Sequence, residues 1–305
     1  MCIIVKSTGE KLSVRDTADF CNGVRKLMKK YLDNVRCVAP LIHNITNYVT
    51  ANDVANVLLA CGASPIMADE EAEVEEITAH CMGLNLNLGT PNQKKITAML
   101  KAGKMANKLG HVVVLDPVGV GASTFRKQAA EQLLKEVRFD AIRGNISEIK
   151  TLASLCGTQE ENSGNGRGVD ADNTDTVTEE NLSQHISNAK MLSKKLQTIV
   201  AITGAIDLVT DGTSCYVIRN GNPQMSHVTG AGCQLSGILT AFLAANPENR
   251  LQAAAAAVCM MGYAGEIAAE KSGQSGSGTY RVSLMDAVSC MDGDMLERGA
   301  RYEIR

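Results

Sequence analysis

The stretch VVVLDPVGVGA, residues 112–122, decides the fold. Val112, Val113, Val114 and Leu115 are apolar on every side, as suits a strand buried on both faces of a parallel sheet. Asp116, Pro117 and the glycines that follow supply a turn, and a helical pattern resumes over residues 125–137. A second apolar run, Ile199–Ile202, has the same character. Between and around them lie helical patterns at 93–109 and 147–155, and one from about Asp53 through Val54, Val57 and Leu58. Residues 83–89 alternate as a strand does, with Leu84, Leu86 and Leu88 on one side and Asn85 and Asn87 on the other. Short β-like runs occupy 37–42 and 139–142. Residues 207–218 read as a hairpin turning at Asp211-Gly212, and helices follow from Gly232. The order predicts an α/β fold, with a mostly parallel central sheet flanked by helices and a late β-hairpin.

Residues 16–33 read as an amphipathic helix through Phe20, Val24, Leu27, Met28 and Tyr31, with a solvated basic face. Residues 1–37 are expected to be an amino-terminal extension, helical and packed on the domain. Residues 38–305 are expected to be one domain, carrying a polar loop at about 157–181.

The 305 residues are 45% hydrophobic and 21% charged, with a formal net charge of −3 and a pI near 6.0. Such a chain gives no electrostatic case for nucleic acid or an anionic membrane, which need clustered Lys and Arg. The ten cysteines are scattered with no CxxC pair, so structural zinc is not expected and a reducing cytoplasm fits. No uninterrupted apolar run reaches the roughly 20 residues that span a bilayer, because Glu266 and Glu270 break the alanine-rich one. Partners should be small molecules.

Three strand-end clusters can carry chemistry. Thr229-Gly230-Ala231-Gly232-Cys233 runs straight into a helical pattern, so its unpaired amides and the helix dipole offer an anion site. Glycines that merely permit a tight helix entry are the alternative. Cys233 at that start is expected to have its thiol lowered by the dipole and to be able to take a proton, unless it is simply a packing cysteine. Asp116, at the carboxyl end of its strand, is the first candidate for Mg²⁺, and capping of the next turn is its alternative. Arg143 can pair with phosphate, while Asn145 and Glu148 either serve a hydrated Mg²⁺ or form a capping box. Thr203 and Gly204 end a strand where a nucleotide phosphate could approach. His43, Asn44, Thr46 and Asn47, together with Met67, would line the same end, with turn formation as the default for each.

Eight motifs together carry a resemblance: LIHNITNYV from Leu41, GASPIMA from Gly62, DPVGVGA from Asp116, RGNISEI from Arg143, AITG from Ala201, DLVTDG from Asp207, VTGAGCQLSG from Val228 and GSGTYRVSLMDAV from Gly276. In this order the chain resembles the hydroxyethylthiazole kinase family of ribokinase-like enzymes, across about residues 41–288. The resemblance implies a three-layer ribokinase-like sandwich that uses ATP as co-substrate and Mg²⁺ to phosphorylate the primary hydroxyl of 4-methyl-5-(2-hydroxyethyl)thiazole, in thiamine salvage. It implies substrate contacts at Met67, Gly230 and Asn47, ATP contacts at Arg143 and Thr203, and metal-side acids at Asp116 and Glu148. It further implies an anion hole over Gly230, Ala231, Gly232 and Cys233, with Cys233 in the base position, and a homotrimer with active sites between subunits. The loop at 157–181 looks longer than the family's, although Gly168 to Asp170 matches it, and the segment before Val38 matches poorly.

Rival readings are a related kinase for a hydroxymethylpyrimidine or a vitamin B6 alcohol, a nucleotide-dependent hydrate dehydratase, a cysteine hydrolase pairing Cys233 with His227, and a silent thiazole-binding regulator. Cys233 where many relatives carry aspartate argues against the first two. The hydrolase lacks an orienting acid.

Overall fold

Parallel strands with long apolar runs must be covered on both faces, and the chain meets that demand with helices between successive strands. In the computed structural model, which describes residues 27–157 and 176–305, six strands run parallel: β1 (Leu41–Ile45), β2 (Ser64–Met67), β3 (Gly83–Asn87), β4 (Val112–Asp116), β5 (Ala141–Gly144) and β6 (Ile199–Ile202). Then β7 (Asp207–Thr210), β8 (Cys215–Ile218) and β9 (Tyr302–Ile304) pair antiparallel. The sheet order is β2-β1-β3-β4-β5-β6-β7-β8-β9. The chain therefore steps outward from β1 to β2, then returns to the other flank of β1 to lay down β3. Such a reversal opens a crevice beyond the carboxyl ends of β1 and β3, where ligands bind in open α/β sheets.

Two apolar layers sandwich the sheet. In β4, Val112 and Val114 face one layer, while Val113 and Leu115 face the other. The first layer holds α1 (Leu27–Val38), α2 (Ala51–Cys61), α8 (Ala231–Ala245), α9 (Arg250–Ser272), α10 (Ser277–Cys290) and α11 (Gly293–Gly299). The second holds α3 (Val74–His80), α4 (Gln93–Leu109), α5 (Thr124–Glu136), α6 (Ile146–Leu155) and α7 (Leu182–Leu196). The predicted α/β architecture with its late hairpin is thus the observed one.

Several local expectations need correction. Residues 37–42 are not a strand: α1 continues to Val38 and β1 begins at Leu41. His43 and Asn44 consequently lie inside β1, and Arg143 lies inside β5. Strand β3 is not half-solvated, since all five of its residues are buried. Its polar face lies beneath α8, where a methyl at Gly83 would come within 2.9 Å of Thr240 Cγ2. Strands β2 and β9 and helices α3 and α7 were not expected at all. Helix α9 is 23 residues long and, with the turn before it, apolar enough to cross a membrane; 78% of that apolar window is buried inside the protein.

Of the amphipathic helix expected at 16–33, only the part from Leu27 lies within the described residues, as do only the two ends of the polar loop; Gly168 to Asp170 lies outside them. What is described of α1 is integral to the core. Tyr31, Leu32 and Val35 are fully buried, the amides of Met28 and Lys29 donate to Glu297 Oε2 at 2.9 and 3.1 Å, and Asn246 Nδ2 donates to the Tyr31 carbonyl at 3.2 Å. Truncating Leu32 to Ala leaves a cavity in a close-packed layer and should cost about 2–5 kcal/mol, read as a lowered denaturation midpoint. An unchanged midpoint would mean that α1 is dispensable to the layer.

Candidate active site

Four of the parallel strands end in the polar groups that meet in the crevice. Asp116, the last residue of β4, is fully buried. Its Oδ2 accepts from Asn87 Nδ2 at 2.8 Å and from the Ser236 hydroxyl at 2.8 Å, and Arg143 Nη1 stands 3.7 Å away. Burial pushes its carboxyl up, against the opposing pull of Arg143, Ser236 and Asn87. Its other oxygen, Oδ1, is buried without a hydrogen-bond partner among the described residues.

Cys233 sits in the first turn of α8, with Ser236 three residues on along the same face. Its sulfur accepts from Asn47 Nδ2 and from Asn87 Nδ2, each at 3.3 Å. Backbone groups fix the orientation of both amides. Asn87 Oδ1 accepts from the Gly89 N–H at 2.9 Å, and Asn47 Oδ1 accepts from the Thr50 N–H at 3.1 Å, so both must turn their NH₂ groups towards the sulfur. The expected lowering of the Cys233 thiol is not observed. Burial pushes it up and the Asp116 charge adds to this, outweighing the hydrogen bonds and Arg143. A helix start therefore does not fix a cysteine's acidity when the same turn is buried beside a carboxylate.

The glycines around Cys233 have physical reasons. Gly230 caps α8 at φ +89°, and a methyl there would lie 2.6 Å from Thr50 Cγ2. A methyl on Gly232 would lie 2.7 Å from Arg143 Nη2. The guanidinium thus lies directly over the helix start, and its Nη2 also donates to Thr203 Oγ1 at 2.5 Å. Gly204 beside it donates its N–H to Asp207 Oδ1 at 2.8 Å, and burial pushes the Asp207 carboxyl up to about 7.

Glu148 satisfies both readings of its motif. It forms the capping box with Asn145, each side chain meeting the other's amide at 2.8 Å. Its second oxygen accepts from the Gly119 N–H at 2.8 Å, tying α6 to the turn after Asp116. Burial, then the charge of Asp116, pushes its carboxyl up to about 7.

Gly230, Ala231, Gly232, Cys233, Asn47, Asp116, Arg143 and Thr203 are thereby linked in one place, with Glu148 joined to it through the turn after Asp116. Met67 ends the edge strand β2, in register with Asn44, at the same end of the sheet. Two members of the cluster escaped the sequence reading, Asn87 and Ser236. Asn87 bridges Asp116 and Cys233, and the signal for it was an asparagine repeated every second residue in an otherwise apolar strand. Ser236 was legible as the i+3 neighbour of Cys233.

The donor set fits Mg²⁺. Two carboxylates, one with a buried and unpartnered oxygen, suit a cation that keeps waters and phosphate oxygens in its shell. Among the described residues, no cluster of three or more His, Cys, Asp and Glu side chains forms a closed metal cage. A cavity of about 360 Å³ lies elsewhere, at the amino ends of β5 and β6 beside Phe139 and Thr198.

The raised Glu148 value has a sign. The fold disfavours the ionised form, so the contribution is fully present below about pH 4.5 and is lost as pH rises through about 7. Ligand-free protein should therefore lose up to about 3 kcal/mol of stability over that interval through this group. Glu148→Gln should flatten the slope between pH 5 and 8 in a series of denaturation curves, whatever its offset. An equal slope in the variant would assign the pH dependence to other groups.

Comparison with known proteins agrees with this geometry. The sequence model described as the Hydroxyethylthiazole kinase family matches residues 32–294. A hydroxyethylthiazole kinase of Clostridium acetobutylicum is 55% identical over 278 residues, covering 91% of this chain and 99% of the relative. The solved structure of a hydroxyethylthiazole kinase protein from Pyrococcus horikoshii superposes with a TM-score of 0.80 at 32% identity, covering 92% of this chain and 99% of that one. A ribokinase-like superfamily protein from Enterococcus faecalis shares the fold alone, with a TM-score of 0.57 at 12% identity over 87% of this chain and 93% of its own. With a family match across most of its length and a site assembled from the same motifs, the chain belongs to the hydroxyethylthiazole kinase family.

Proposed function

We propose that the chain transfers the γ-phosphoryl group of ATP to the primary hydroxyl of 4-methyl-5-(2-hydroxyethyl)thiazole, giving the thiazole phosphate for thiamine salvage. The observation that carries this reading is the bridge through Asn87, whose one amide nitrogen serves both Asp116 and Cys233. Phosphoryl transfer needs a carboxylate on the nucleotide side and a proton acceptor on the alcohol side, held at fixed separation.

On the nucleotide side, Arg143 and Thr203 are the ATP contacts. The guanidinium has its Nε buried and unpartnered among the described residues, and it overhangs the amides that open α8. Asp116 and Glu148 are the residues that would hold Mg²⁺, which when bound neutralises phosphate oxygens. On the acceptor side, Met67, Asn47 and Gly230 meet the thiazole. The first amides of α8, from Ala231 through Cys233, have no acceptor within the helix and point at the crevice, so they receive charge on the transferring group. Cys233 orients the hydroxyl and takes its proton late. A thiol pushed up by burial is a poor early base, and a loose transition state asks for little proton removal at the start.

The assembly we propose is a homotrimer with sites between subunits. The edge strand β2 and the turn after β1 leave Tyr48, Val49 and Met67 well exposed beside the crevice, an apolar surface that a neighbouring copy would cover. A cytoplasmic setting fits the free state of the described cysteines, four of which are buried in the helix and strand layers outside the site.

Purified protein should phosphorylate the thiazole alcohol in preference to hydroxymethylpyrimidine and pyridoxal, with ATP and Mg²⁺ both required. Cys233→Ala should lower kcat by about 100-fold, the lower end of what a positioned proton acceptor supplies. Preferred turnover of another alcohol would overturn the substrate, and transfer to none of the three would overturn the kinase reading. Gly232→Ala drives a methyl into Arg143 and should raise KM for ATP about tenfold or more, the loss expected for one charge-assisted hydrogen bond. An unchanged KM for ATP would remove Arg143 from the nucleotide site.

A further inference from the structure

Lysine is almost never fully buried unless it is paired, yet Lys95 in the first turn of α4 is only 6% exposed. Its ammonium donates to the carbonyl of Thr46 at 3.0 Å and faces Asp69 Oδ2 at 3.6 Å. The Asp69 side chain is 60% exposed, so this pair supplies little stability of its own. What the lysine does is join two strand-end loops. Thr46 immediately precedes Asn47, and Asp69 lies two residues beyond Met67. The peptide between Met67 and Asp69 has a second anchor, because His43 Nε2 donates to the Ala68 carbonyl at 2.8 Å. Met67 is 38% exposed at the end of an edge strand, too exposed for packing alone to hold it.

We infer that Lys95 is a positioning residue for the acceptor alcohol: by tying the Thr46 carbonyl to Asp69 it holds Asn47 and Met67 in place, through the backbone of two loops. The inference rests on the assignment of Asn47 and Met67 to the acceptor side. It makes a one-sided claim about the site. Arg143 lies in β5 and Thr203 just beyond β6, on strands separated from β1 by β3 and β4, whereas the contacts of Lys95 run to Thr46 and Asp69. Loosening the lysine therefore affects the acceptor and spares the nucleotide.

The test is steady-state kinetics on the full chain with Lys95→Met, which keeps the apolar stem and removes the donor. KM for the thiazole alcohol should rise about tenfold or more while KM for ATP stays within about twofold. A general structural role would instead raise both constants together or lower the yield of active enzyme without changing either, and both results overturn the inference. Should Lys95→Met fail to fold, Asp69→Asn releases the lysine from one loop and should raise the thiazole KM by about two- to fivefold. No change in that variant overturns the inference equally. If the wild-type chain prefers a different alcohol, the substrate assignment fails by itself, and the same split is read on that alcohol.

Discussion

A carboxylate with no exposed surface at the end of a central strand is the constraint on which the site is built. Taking the Asp116 carboxylate out of water is expensive, and it persists only where opposite charge and hydrogen-bond donors surround it. The fold brings those donors from separate parts of the chain: Asn87 from β3, Arg143 from β5 and Ser236 from α8. Each donor has a second partner, so the requirement spreads. Asn87 reaches Cys233, Arg143 reaches Thr203 on the next strand, and Ser236 lies one turn after the helix start. One buried oxygen thus fixes the relative position of three parallel strands and the helix that crosses their ends. The other oxygen of Asp116 has no such partner, so the cost of burial is only partly offset until something cationic arrives.

The same constraint explains which parts of the fold were legible in sequence. Strands β4 and β6 stood out because a strand buried on both faces must be apolar on both. Helix α4 was read residue for residue, and in the structure the Asn92 side chain accepts from the Lys95 amide at 2.9 Å as an N-cap should. Strand β2 was missed because SPIM opens with two residues poor in strand propensity, and only pairing with β1 makes it extended. Strand β9 was missed for the reason common to short edge strands: its three residues gain structure only from the antiparallel register with β8, set from far along the chain. The assignment of 37–42 failed at its start because Cys37 and Val38 form the exposed end of α1 rather than the strand.

Within the site, glycine pattern and chemistry were legible to different depths. That Gly230 and Gly232 open a helix could be read from the motif, but the need for Gly232 is an arginine some ninety residues earlier, which no local pattern reveals. The misjudged acidity of Cys233 has the same origin. A helix start alone argues for a stabilised thiolate, whereas burial and a carboxylate bridged to it by one amide argue the other way, and the second pair wins. Asn87 was the hardest case, since a polar residue on an alternating strand is ordinarily solvent-facing. It becomes informative only when α8 is seen to cover that face.

The order of the strands also orders the chemistry. Reading across the sheet, β2 and β1 lead to the side chains assigned to the acceptor, β3 and β4 carry the bridge and the buried acid, and β5 and the end of β6 lead to those assigned to the nucleotide. Helix α8 lies across the middle of this row, with the Arg143 guanidinium over its opening turn. Reversal of the order in which strands are laid down, between β1 and β3, is what opens the crevice. In the proposed reading, a parallel sheet with that one switch point separates the two substrates along its width, each assigned to its own strand ends. In the proposed reading, the single amide of Asn87 fixes the separation between the acid of the nucleotide side and the thiol of the acceptor side.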